Sequence, residues 1–200
     1  MYSLPPSTVL NKPLYKKAVF EKFNLKTVDR DRFDADISRM ALVARVSTAT
    51  VPALTKGKDV EIFYVLQVAL KRKDYDSKNI LMLQKLIPQK LIFALQFEEQ
   101  TQFCIFHTRL QQSAWMATDE AVITLQGLSL DDAWNNIVAT IGGLDAQAKE
   151  SIEEQIIQRE QREKLLRQIE SLEKQCRTEK QTREKYKLHQ LIIKLRENLK

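Results

Sequence analysis

Glycine is scarce in this chain, four in 200 residues, and its placing excludes the common phosphate cradles. Gly57, Gly127, Gly142 and Gly143 fall in no P-loop and no dinucleotide fingerprint, motifs that need glycine where backbone meets phosphate. Histidine and cysteine number two each. His107, His189, Cys104 and Cys176 are scattered, without the spacing of a zinc site. Cys104 and His107 stand three apart on an expected strand, and an odd separation sends them to opposite faces, so no thiol–imidazole dyad forms there. So few cysteines suit a reducing compartment better than a disulfide framework. Long apolar runs are missing as well. Stretches such as Ile62 to Leu66 fall far short of the roughly 20 residues of a membrane span. The opening Met1-Tyr2-Ser3-Leu4-Pro5-Pro6 lacks the basic-then-apolar layout of a secretion signal. The expectation is a cytoplasmic protein with no membrane segment, no metal and no cofactor.

What is present is globular. Apolar residues make up 44% and charged residues 29%, enough of the first for a core and a high share of the second. The length suits one domain with an appendage. Net charge is +6, and it is shared: residues 1–144 carry 18 Lys/Arg against 15 Asp/Glu, residues 145–200 carry 14 against 11. There is no basic tail. A boundary at Leu144 separates an expected α/β domain, 1–144, from a charged helical arm, 145–200.

Along the first part, residues 1–12 read as an extended lead-in, with Pro13 in the first turn of a short helix. A second helix starts at Thr27 as N-cap, with Asp29 and Asp31 in its first turn. Phe33, Ile37, Met40, Ala41 and Ala44 continue it at helical spacing. Residues 48–58, with Pro52 and Gly57, form a connector. Val60 to Leu70 is β-branched and aromatic, as a strand buried on both faces is. Ser77 caps a helix that Pro88 stops, and Leu91 to Phe97 is a second buried strand. Together these make a βαβ unit. Thr101 to His107 returns as a hairpin, with weaker strands near Trp115 and at Ala121 to Leu125. Ser129 and Asp132 have capping-box spacing before a helix carrying Trp134, Ile137, Val138 and Ile141, ended by Gly142-Gly143. The fold class is an α/β (α+β) body with a small mixed sheet and flanking helices, followed by a long C-terminal helical or coiled-coil arm.

The arm, from Leu144 to Lys200, has no glycine and no proline. Glu160–Lys164, Glu163–Arg167, Glu170–Lys174, Glu173–Arg177 and Glu179–Arg183 are acid-before-base pairs at i,i+4, the favourable helical order. Leu165, Ile169, Leu172 and Cys176 step by 4, 3 and 4, as coiled-coil core positions do. Leu188, Ile192, Leu195 and Leu199 repeat the stepping out of phase with the first stripe. Either one helix of roughly 80 Å, at about 1.5 Å per residue, carries two sticky patches, or the chain folds back near Thr178–Thr182 as a helical hairpin. Leu165, Ile169, Leu172, Leu188, Ile192 and Leu195 are the candidate residues for a partner or for a homodimer.

Catalytic candidates are few. Asp29, Asp31, Asp34 and Asp36 cluster, but helical spacing does not set all four on one face. A cryptic nuclease would need a carboxylate and a lysine on neighbouring strands, and the buried strands offer only Glu61 and Lys71 at their ends, without a Glu-x-Lys pair. Nucleic-acid contacts stay open through phosphate-seeking cations: Lys12, Lys16 and Lys17 near the N-terminus, Arg177, Lys180, Arg183, Lys185 and Lys187 in mid-arm. No aromatic platform for stacked bases accompanies them.

Several segments carry a family resemblance: Leu4-Pro5-Pro6-Ser7-Thr8-Val9-Leu10-Asn11-Lys12 with Lys16-Lys17, the Val60–Leu70 strand, the stretch from Leu86-Ile87-Pro88 to Phe97, Leu125 to Asp131, and Leu172 to Leu199 with Glu179-Lys180-Gln181. Over nearly its whole length the chain resembles an uncharacterised bacterial family, number 4391 among the domains of unknown function. The resemblance implies a gene neighbourhood of helicases and DNA methyltransferases of restriction or phage-defence type, and hence a protein partner of that kind. It supplies no catalytic residue. The expected function is a non-catalytic accessory subunit of a DNA-acting complex, with a nucleic-acid-binding module and a cryptic nuclease as alternatives.

Overall fold

The computed structural model describes residues 1–145, 148 and 150–198. The chain divides into two compact units, a body over Met1–Gln147 and an arm over Ala148–Lys200.

The body begins with a 3-10 turn at Pro6–Thr8 and strand β1, Val9–Leu14. Pro13 lies inside this strand, not in a helix. β1 is the outer strand of the sheet, where a residue without an N–H leaves no ladder bond unmade. Helix α1 follows at Lys16–Lys22 and α2 at Thr27–Asp36. The N-cap position of α2 falls on Lys26, so Thr27 is its first helical residue rather than its cap.

The helix expected to run on through Ala44 stops at Asp36, and Ile37–Ser47 is strand β2. The spacing misleads for a physical reason. β2 pairs with β3 (Ile62–Leu70) through two register shifts, between Ile37 and Arg39 and between Leu42 and Ala44. Each bulge inserts one residue, so the buried positions Ile37, Met40 and Ala44 step by 3 and 4, as helix positions do. Helix α3, Ser77–Leu86, is capped by the Asp76 carboxylate on the Lys78 N–H, one residue before the expected Ser77. Strand β4, Lys90–Phe97, then pairs parallel to β3, completing the βαβ unit.

Strand β5, Gln100–His107, returns antiparallel to β4 across Glu98–Glu99, with Glu98 at φ +52 in the tight turn. Two short strands, β6 (Arg109–Gln112) and β7 (Met116–Ala117), both pair with β5 and flank Trp115. Ala121 to Leu125 is not a strand. Its burial alternates at Ala121 and Ile123, yet the Ile123 N–H bonds to the Tyr2 carbonyl and not to a neighbouring strand. Helix α4, Leu130–Gly142, opens on the Ser129/Asp132 capping box and closes on Gly143 at φ +62.

The sheet runs β1-β2-β3-β4-β5-β6 and is covered on both faces. One face sets Leu66, Val68, Leu91, Phe93 and Leu95 against Val19, Phe33, Ile80 and Leu83 of α1, α2 and α3. On the other, Phe63 meets Trp134 of α4 with ring centroids 5.5 Å apart, and Tyr2 meets Phe103 edge-on at 5.4 Å.

The arm is two helices, α5 (Ile152–Thr178) and α6 (Thr182–Glu197). α5 starts on a full capping box, Ser151 with Glu154. The chain breaks at Glu179–Gln181 and α6 folds back onto α5, so the arm is a helical hairpin and not one continuous rod.

Candidate functional site

In a sheet with a parallel pair, ligands tend to collect at the carboxyl ends of the parallel strands. Here that end carries a hydrogen-bonded cluster. The Tyr75 hydroxyl donates to Gln102 Oε1 at 2.8 Å, receives a bond from Gln112 Nε2 at 2.6 Å, and lies 3.6 Å from Cys104 Sγ. Lys73 Nζ donates to Gln100 Oε1 at 2.7 Å and stands 5.3 Å from the centre of the Trp115 ring. Burial raises the Tyr75 pKa above its ordinary value, and raises the Cys104 thiol to about 11 against hydrogen bonds that lower it. Cys104 is therefore a protonated, buried thiol, the reverse of an activated nucleophile. The cluster ties the lead-in of α3 to β5 and β6.

Of the clustered aspartates, Asp36, Asp34 and Asp29 each have a separate partner. Asp36, 1% exposed, accepts from Arg72 Nε at 2.5 Å, from the Asp76 N–H at 2.9 Å and from Asn79 Nδ2 at 2.7 Å. Asp34 pairs with Lys16 at 2.5 Å, and Asp29 stands 4.0 Å from Arg32. Asp131 reaches into the loop at Gly57 and accepts from the N–H groups of Lys58 (2.6 Å) and Val60 (2.8 Å). A Cβ on Gly57 would stand 2.3 Å from Asp131 Oδ1, so only glycine fits. Glu61, paired with Lys56 at 2.5 Å, and Lys71 flank the two ends of β3, about 30 Å apart at strand rise. Among the described residues no three His, Cys, Asp or Glu side chains gather as metal ligands do.

Of the cations marked near the N-terminus, Lys16 is taken by Asp34, Lys17 lies 3.6 Å from Glu21, and Lys12 is exposed on β1. In the arm, Ile169 and Ile192 are each 5% exposed, while Leu165, Leu172, Cys176, Leu188 and Leu195 are half-buried around them. Leu199 lies outside the described residues. Three of the expected ion pairs form: Glu160–Lys164 (2.6 Å), Glu163–Arg167 (3.7 Å) and Glu170–Lys174 (2.8 Å). Glu173 instead bonds Arg196 of α6 at 2.7 Å, and Glu179 accepts from the Gln181 N–H in the turn. The turn separates Glu179 from Arg183, which the i,i+4 rule had joined. Lys187 pairs with Glu184 at 2.6 Å; Arg177, Lys180, Arg183 and Lys185 are exposed.

The sequence marked Asp36 only as one of four clustered aspartates, without its buried partners, and gave no role to Asp131, Tyr75 or the pair Gln67 and Gln96. For the glutamines a signal existed: each is the lone polar residue inside an apolar strand, and they bond to each other across the parallel pair. Gln96 also donates to the Tyr2 hydroxyl at 3.2 Å.

The fold and these clusters define a mixed α/β sandwich with an attached helical hairpin. The chain belongs to the family Domain of unknown function (DUF4391), whose model matches residues 3–199. No curated protein and no solved structure matches it. None of the helices among the described residues is long and apolar enough to cross a membrane.

Proposed function

We propose that this chain is a non-catalytic interaction subunit that docks on a larger protein through its hairpin. The carrying observation is the open seam: Leu165, Leu172, Leu188 and Leu195 stay half-buried around the buried Ile169 and Ile192. Two helices cover such a stripe from one side only, and a third helix laid along it would bury the leucines in coiled-coil fashion. Exposed Leu166, Leu191 and Ile193 add apolar area on the same two helices. The resemblance to domain family 4391 extends the proposal to a restriction or phage-defence complex, with a helicase or methyltransferase as the partner protein. A second copy of the chain is the competing occupant.

Co-purification of the tagged full chain from its native cells tests this, alongside light scattering of the pure protein. Leu172→Asp with Leu195→Asp should abolish partner capture while helical content and melting of the body persist. Exchanging Glu170 with Lys174 should leave capture intact. If the Asp pair retains every partner, the seam is not the docking surface. A concentration-dependent dimer lost in the Asp pair assigns the seam to a second copy.

The tip of the hairpin favours a second reading, nucleic-acid binding. Five Lys/Arg and two Glu lie between Arg177 and Lys187, so this stretch holds an excess equal to that of the whole arm. Arg177, Lys180, Arg183 and Lys185 have no carboxylate partner among the described residues. Phosphate contacts by these groups would make duplex affinity fall steeply with salt, with a slope of about −0.9 per contact. Arg183→Glu with Lys180→Glu should flatten that slope, and a salt-independent or absent affinity removes this reading.

A further inference from the structure

On the face of the sheet that bears Phe63, the β1 side holds a cleft of about 620 Å³, within the roughly 300–1,000 Å³ of small-molecule sites. Its floor is hollow because two neighbouring positions are alanine: Ala69 opposite Arg39, and Ala41 opposite Gln67 in the β2–β3 register. Val9 and Pro13 of β1 form part of the rim, where β1 shifts register between Val9 and Lys12. Leu10 and Val43 add apolar surface, and the polar side chains lining it are Asn11, Arg39 and Gln67.

Arg39 is the one ionisable side chain of the lining, and no carboxylate among the described residues pairs with it. Other cations of the body behave differently: Lys16, Lys56 and Arg72 each hold an acid at 2.5 Å. Gln67, in turn, is held in place by Gln96, which Tyr2 steadies. The cleft lies over the carboxyl half of β3 and its antiparallel partner β2, on the face opposite the α3 crossover.

We propose that this cleft binds a small amphiphilic anion: an apolar, acyl-like body along the alanine floor, with a single carboxylate or phosphate head paired to Arg39. One charged side chain among mostly apolar walls, with Met1 at the margin, suits one anionic head. A nucleoside triphosphate would need close glycine backbone and a cluster of basic side chains, and the lining has no glycine and one basic side chain.

The test uses the full chain and three probes, decanoate, decyl phosphate and neutral decanol, by calorimetric titration and thermal shift. The wild type should bind at least one anion about tenfold or more tighter than decanol, the scale of one hydrogen-bonded charge pair. Which anion binds tighter identifies the head. Arg39→Met, an exposed position, should bring the anions down to the affinity of decanol. Ala69→Phe should fill the floor and weaken all three probes. If neither anion binds the wild type, if decanol binds as well as the anions, or if Arg39→Met leaves the anion affinities unchanged, the proposal is wrong.

Discussion

The body and the arm carry the same positive excess, yet different forces hold them. In the body a sheet is covered on both faces, and Trp134, Phe33, Phe63 and Phe93 are buried almost completely. Its charges are few in the interior and fully partnered, as Asp36 shows. In the arm two helices share one narrow stripe, and the ion pairs lie in solvent. Burial of large side chains contributes kilocalories each, whereas exposed pairs contribute little. The difference teaches that the arm's many charges describe its surface, while its sparse apolar positions decide what it packs against.

The largest effect should fall on the body. Trp134→Ala removes the ring that packs on Phe63 and should cost about 3–5 kcal/mol in denaturant unfolding. Ile169→Ala in the arm should cost about 2 kcal/mol, the low end for such a change, because half-exposed neighbours can relax into the space. Equal losses would erase the contrast between the two units.

Next come the carboxylates. Asp131→Ala strands the N–H groups of Lys58 and Val60 in the Gly57 loop, and should cost about 1–3 kcal/mol. Exchanging Glu170 with Lys174 in the arm should leave the melting temperature unchanged. A large loss from that exchange would show that surface charge holds the arm together.

A smaller effect depends on pH. Burial raises the Cys104 thiol from an ordinary value of 9.0 to about 11. A raised pKa means the native state keeps its proton when the unfolded chain has lost it. The thiol's contribution is therefore complete below about pH 9 and is lost as pH rises through about 11. Stability should decline over that window, and Cys104→Ala should flatten the decline. Thiol titration sharpens the same contrast: Cys176, partly exposed in the arm, should react at once, and Cys104 only on unfolding.

Much of this was legible in the sequence where local rules and tertiary structure agree. The β3–α3–β4 unit announced itself through apolar strands and a helix between them, and the α4 capping box through Ser129 and Asp132. The stripe residues Ile169 and Ile192 stood out by spacing alone. What failed had local patterns reshaped by pairing. The bulges of β2 gave Ile37, Met40 and Ala44 a helical step, and an edge position made Pro13 compatible with a strand. The fold-back at Glu179–Gln181 carries no glycine or proline, so only the phase slip between the two stripes marked it. The Asp36 and Asp131 sites join residues some 36 to 73 positions apart, which no spacing rule connects.

The division of labour between body and arm is tested most directly by a chain ending at Leu144. It retains all seven strands and α1 to α4, so it should melt cooperatively near the temperature of the full protein. Mixed with native extract, it should capture no partner that the full chain captures. A truncated chain that melts without a cooperative transition, or that still brings down the full chain's partner, would contradict the account.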